Sequence, residues 1–230
     1  AAAGAANAAV IDNGAAGNGG LFFSAWDGVN SYSRNLGYSI DSFESGLAAA
    51  GAIDLNFAAD ATFTSFMSTA ATANLKWNIV ATDQLGARRV LETFTAPQPL
   101  TTKASDVIRN LAVGAGNFVT AINGKLTSTD SATFQFGENG YADLATGNRF
   151  GETGAGLLNF SNAGSFSTNS AVNGLSFMRI NAASSGISAS TYTPYLDGTD
   201  AVKVYLDGSN ALHISAVTAA VPEADTYAML

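Results

Sequence analysis

The chain has 230 residues, with ten Lys or Arg against eighteen Asp or Glu and a net charge of −8. That balance disfavours a nucleic-acid binder built on basic patches, and the absence of Cys removes disulfides, thiolate catalysis and Cys-ligated metal sites. A single His, His213, must carry any histidine relay, and no run of eighteen apolar residues offers a membrane-spanning helix.

Residues 1–20 are nearly all Ala, Gly and Asn, a small-residue start of the kind that signal-peptide cleavage leaves. Within this extension Ala8, Ala9, Val10 and Ile11 form a short segment able to become a strand. Ordering each backbone residue costs about 1–2 kcal/mol, and side chains this small return little apolar area. Main-chain hydrogen bonds to a sheet in another copy would supply what the side chains do not. The segment around Ala5–Asn13 is therefore a candidate donor strand, with Val10 and Ile11 as its bulky anchors, so that Val10→Asp and Ile11→Asp should act alike.

From Leu21 the pattern becomes that of strands. LFFSAW is an apolar run ended by Asp27-Gly28, SYSRNLGYSI follows over 31–40, and IDLNF alternates over 53–57. ATFTSFM is also expected to be extended, although Phe63 and Phe66 fall on opposite parities. LKWNIVATD and RRVLETFTA form a further pair around the turn Gln84-Leu85-Gly86-Ala87, and Pro97 and Pro99 then break the pattern. One helix is predicted near 102–123. Thr101 or Thr102 can cap it, Asp106 suits its positive end, and Ile108, Leu111, Ala115, Phe118, Val119 and Ile122 share a face. Gly114 and Gly116 weaken it by about 1 kcal/mol each, so packing against a sheet must hold it.

Beyond the Asn123-Gly124 stop, ATFQF (132–136) reads as a strand, and the Gly/Asn/Ser-rich residues 137–172 as short strands and loops. GLSFMRINA is a strand again. AVKVYLDGSNALHISAV is a hairpin that turns at Asp207-Gly208-Ser209-Asn210. Many short strands, frequent Gly/Asn/Asp turns and one amphipathic helix predict a mainly β fold, an antiparallel, jelly-roll-like β-sandwich over 21–220 preceded by a strand-like extension.

No constellation carries a reaction. Asp197, Asp200 and Asp207 lie in a ten-residue echo, YLDGTDA and YLDGSNA, whose oxygens suit calcium or simply close two β-turns. His213 sits between Leu212 and Ile214 with no Gly-x-Ser-x-Gly elbow in the chain. Asp27, Asp41, Glu44, Asp54, Asp60, Asp83, Glu92, Glu138 and Glu152 are scattered without the spacing of a glycosidase pair. Trp26, Tyr32, Tyr38, Trp77 and Tyr141 could form a platform for sugars or belong to the core. No catalytic, cofactor-binding or metal residue is assigned, and no cofactor is expected.

The last ten residues are more specific. Val221-Pro222-Glu223-Ala224-Asp225-Thr226-Tyr227-Ala228 resembles the start of a PEP-CTERM sorting signal, in which a Val-Pro-Glu-Pro-Ser-Thr-Tyr-Ala-like stretch precedes an apolar span and a basic tail. Val221, Pro222, Glu223, Thr226 and Tyr227 match that motif, while Ala224 stands where the family has its second Pro and Asp225 where it has Ser. A second stretch, Gly20-Leu21-Phe22-Phe23-Ser24-Ala25-Trp26-Asp27 followed by Ser31-Tyr32-Ser33-Arg34-Asn35-Leu36-Gly37, is similar to the opening of some PEP-CTERM surface proteins. The resemblance implies export from a Gram-negative bacterium, processing by an exosortase-type enzyme, and residence at the cell surface or in an exopolysaccharide-rich matrix. It implies no catalytic residue. The expected function is a secreted structural protein that polymerises head to tail with copies of itself. The alternative is a polysaccharide-binding matrix module, and a hydrolase comes third.

Overall fold

A computed structural model describes residues 10–49, 53–86, 88–95, 102–126, 129–143 and 161–217. Strand β1 (Gly20–Trp26) is buried at every position, because the sheet is covered on both sides there. Leu21, Phe23 and Ala25 enter one core and Phe22 and Trp26 another, so the strand reads as a continuous apolar run instead of alternating. β2 (Asn30–Ser39) pairs with it across the Asp27-Gly28 turn, where Gly28 holds a φ of 93° that side-chain-bearing residues avoid.

The remaining strands are β3 (Asp54–Phe57), β4 (Lys76–Thr82), β5 (Arg89–Phe94), β6 (Ser131–Gln135), β7 (Gly164–Ser165), β8 (Leu175–Asn181), β9 (Thr191–Pro194), β10 (Leu196–Asp197), β11 (Asp200–Leu206) and β12 (Leu212–Val217). All pair antiparallel in one sheet of order β3-β12-β11-β8-β5-β4-β1-β2-β6, with β10 added to β11, β7 to β4 and β9 to β8. The mainly β, antiparallel architecture expected from the sequence is the one formed. The sheet curls so that its two ends share one interior: Phe57 of β3 meets Tyr38 of β2 edge to face, ring centroids 6.2 Å apart. That concave core holds Phe23, Tyr32, Trp77, Ile79, Leu91, Phe177, Val204 and Ile214.

Among the described residues three α-helices, not one, complete it. α1 (Ile40–Ala49) starts at the last residue of an expected strand and runs through residues for which no element was predicted, and α2 (Ala61–Thr69) occupies a segment expected to be extended. Each inserts aromatic side chains into the concave core, Phe43 from α1 and Phe63 and Phe66 from α2. The i, i+3 spacing of Phe63 and Phe66 serves a helix, and Asp60 caps it by accepting from Phe63 N. α3 (Ser105–Asn123) is the predicted helix and lies on the convex face. Its Phe118, Val119 and Ile122 join Phe22, Trp26 and Val80, while Ile108, Leu111 and Ala112 join Val90, Phe94, Met178 and Ile180. Gly116 admits a close approach: a Cβ there would run into Gln84 Nε2 and the Asn13 carbonyl.

Residues 10–19 contain no strand. Asp12 and Asn13 fold the chain into side-chain-closed turns by accepting from Gly14 N and Ala15 N.

Candidate functional site

The extension is fixed to its own domain at Ile11. This side chain is 2% exposed and belongs to the core that holds Phe22 and Phe118. Asn123, the last residue of α3, clasps its main chain from both sides: Ile11 N donates to Oδ1 at 3.0 Å and Nδ2 donates to Ile11 O at 2.9 Å. Val10, one residue earlier, is 63% exposed. The two expected anchors are therefore unlike: Ile11 serves its own core, and Val10 is exposed to solvent. Ala8 and Ala9 lie outside the described residues, as do all the residues of the sorting motif, Val221, Pro222, Glu223, Thr226 and Tyr227.

The ends of the sheet are chemically different. Asn35 N donates to Asp130 O, so with the β2–β6 register the N–H and C=O groups of Ser131, Thr133 and Gln135 point away from β2. Side chains and the following turn have taken most of these. Thr129 Oγ1 donates to Ser131 O, Lys125 Nζ to Thr133 O, Glu138 N to Gln135 O, and Gln135 N to Glu138 Oε2. Lys125 and Glu138 also pair with each other at 2.9 Å. The Lys125 hydrogen bond, helped by that of Gln135, holds the Glu138 carboxyl below its usual range. At the other end, Ala216 N donates to Ile53 O, so the β3–β12 register turns the main-chain groups of Asp54 and Asn56 outward. No hydrogen bond from a described residue reaches them. On the inner side of this edge Leu55, Phe57, Tyr38 and Leu47 are only partly buried, so the core is thinly covered along it.

A charged cluster joins α1 to the sheet. Arg89 Nε donates to Asp83 Oδ2 at 2.6 Å, and its Nη1 reaches Asp41 at 2.7 Å and Glu44 at 2.9 Å. Burial works against the Arg89 charge, but the Asp83 and Asp41 bonds outweigh it and raise its pKa. Glu44 also accepts from Arg179 Nη1 and from the Tyr195 hydroxyl at 2.7 Å. Burial and that bond push the Tyr195 phenol upward. An open groove of about 730 Å³ borders this cluster, lined by Glu44, Arg179, Thr193, Tyr195 and Asp197. Its carboxylate and hydroxyl are already paired, which makes the cluster a fastening of α1 to β5 and β8.

His213, Asp207 and Ser209 come together in an order that does not activate a nucleophile. His213 Nε2 donates to Asp207 Oδ2 at 3.0 Å and stacks on Tyr205 with ring centroids 4.7 Å apart. Ser209 Oγ donates a hydrogen bond to Asp207 Oδ1 at 2.7 Å, and Ser209 N and Ala211 N donate to the same oxygen. The Ser209 bond foremost, with those of His213 and the main chain, holds the Asp207 carboxyl far below the ordinary carboxylate range. A triad needs the imidazole between acid and hydroxyl; here the acid stands between them and closes a turn. Asp197 is likewise occupied, accepting from Ile53 N at 2.5 Å. Among the described residues no three His, Cys, Asp or Glu side chains gather as a metal would need. Chelator treatment is expected to leave the thermal midpoint where it was, since a metal bound to the folded chain would stabilise it by mass action; a fall of several degrees would restore calcium at Asp197, Asp200 and Asp207.

The aromatic platform does not form. Trp26, Tyr32, Trp77 and Tyr141 are all at most 4% exposed, and Tyr38 packs against the core beside Phe57.

One of the scattered acids, Glu92, is the most strongly perturbed carboxyl among the described residues. Glu92 lies opposite Val80 on one side and Met178 on the other, on the sheet face covered by α3, and is 1% exposed. Burial pushes its carboxyl up to about 8, opposed only by the hydrogen bond from Asn162 Nδ2. Among the described residues its Oε1 has no hydrogen-bond partner, and neither polar atom of the fully buried Asn78 has one.

No protein-family model, curated protein or solved structure matches the chain.

Proposed function

We propose that this is an exported structural protein of the cell surface or extracellular matrix of a Gram-negative bacterium, whose copies join head to tail by strand addition. The observation that carries this reading is the unclosed sheet. Among the described residues no strand lies beyond β3 or β6, while Ile11 is buried and clasped by Asn123 and Val10 beside it is exposed. A contact between one copy's extension and another copy's edge is heterologous and repeats without closing, which yields a filament. The sorting-signal resemblance supports export and exosortase-type processing, and an exopolysaccharide matrix would surround the product. Burial of the aromatic residues that would have recognised sugar weighs against the polysaccharide-binding alternative.

Removal of residues 1–9 should leave a folded monomer, because Ile11 and its Asn123 clasp are retained. Light scattering after size exclusion and negative-stain imaging of both proteins check this. A full-length chain that stays monomeric at every concentration up to its solubility limit would overturn the reading.

A further inference from the structure

We infer that the acceptor for the incoming strand is the β3 edge, at Asp54 and Asn56, and that its occupant is the segment ahead of Ile11 in a second copy of this chain. The inference rests on the assembly reading and names the surface that reading leaves open. Two edges are available and they have been treated differently. At β6 the outward carbonyls of Ser131, Thr133 and Gln135 are already accepting, and Gln135 N is already donating to Glu138. A new strand there would first have to break the Lys125–Glu138 clasp. Charged residues set over an edge in this way are a common means of preventing strand pairing.

At β3 no described residue intervenes in this way. Asp54 and Asn56 are exposed, and each turns an N–H and a C=O outward, four groups in the alternation an antiparallel or parallel partner requires. Beside them the half-covered Leu55, Phe57, Tyr38 and Leu47 form an apolar seam on the concave core. An added strand would both complete the ladder and cover this seam. The segment ahead of Ile11 meets both needs. Its Ala and Gly residues let its main chain approach without demanding side-chain pockets, and Val10, exposed in its own domain, supplies an apolar side chain for the seam. It carries no charge to oppose Asp54.

The test uses the direction of individual N–H groups. Asn56 N points away from β12, so Asn56→Pro removes an outward donor and leaves the β3–β12 ladder intact. Thr133→Pro does the same at β6. In the full chain, Asn56→Pro should keep its circular-dichroism spectrum and raise the concentration needed for assembly about tenfold or more, ~1.4 kcal/mol per interface. Thr133→Pro should assemble as the parent does. In parallel, single Cys residues placed at positions 5–10 and paired with Asn56→Cys, in a chain without native Cys, should give interchain disulfides on mild oxidation.

Assembly of Asn56→Pro at the parent's concentration overturns the inference. If Thr133→Pro then blocks assembly, the proposed function survives with β6 as acceptor. Should the parent chain not assemble at all, the proposed function falls, and the crosslinks alone decide the edge: an absence of any disulfide to position 56, or one formed only within a single chain, overturns it. The same crosslinks decide the matter if Asn56→Pro does not fold.

Discussion

Glu92→Gln should stabilise the domain at neutral and alkaline pH and remove most of its pH dependence between about 5 and 8. The folded chain holds this proton up to about 8, whereas an unfolded Glu releases it near 4.5. Between those values the unfolded state binds fewer protons, so stability falls as pH rises, levelling off above 8. At 1.36 kcal/mol per pH unit the ceiling on that loss is about 5 kcal/mol, a large share of a domain's net stability. The cause is burial. Met178 and Val80 flank the carboxyl, Asn162 supplies the one hydrogen bond that favours the charged form, and no cation contributes to the shift. Asp207, whose carboxyl is depressed, works at the opposite end: its contribution is present above the ordinary carboxylate range and lost only in acid. Denaturant midpoints of parent and Glu92→Gln at about pH 5, 7 and 9 separate these effects. A parent protein equally stable at all three would mean that Glu92 is not desolvated as the fold implies.

Ile11→Ala and Val10→Ala, one residue apart, should differ by several degrees in thermal midpoint. Ile11 is closed into the core between the sheet and α3, where truncation to Ala costs about 2–5 kcal/mol. Val10 is 63% exposed, and its truncation should change stability by no more than about 0.5 kcal/mol. Its effect should fall on assembly instead. Scanning calorimetry on the two variants checks the contrast; equal midpoints would show that Ile11 does not hold the extension down.

Most of the strand order could not be read from the residues, but most of the strands could. The runs at β1, β4 and β5 and the hairpin β11–β12 carry either continuous or alternating apolar residues, and α3 carries its own 3.6-residue stripe. α2 was hidden by its Thr residues and its Phe pair, which suit a strand by propensity. Its parity break between Phe63 and Phe66 was visible in the sequence and is the sign of the helix, as are Ile40, Phe43 and Leu47 in α1. Glu92 was legible too. Strand alternation sets it on the face of Val90 and Phe94, a position where a carboxyl must be buried. The difference between the two sheet edges was not legible, because it depends on Lys125 and Glu138 reaching across to β6 from outside that strand.

The pairing of β3 with β12 joins Phe57 to Leu212 and Asp54 to Ser215. β3 leaves the ribosome well before its partner β12 is made. Until then the concave core lacks Ile214 and Leu212 along one wall, and α1 and α2 have an unfinished surface to rest on. Closure of the core therefore waits on a contact between segments far apart in the chain, and non-local closure of this kind is slow. For the export proposed above, that slow closure would leave the chain longer in an open state that a channel can accept.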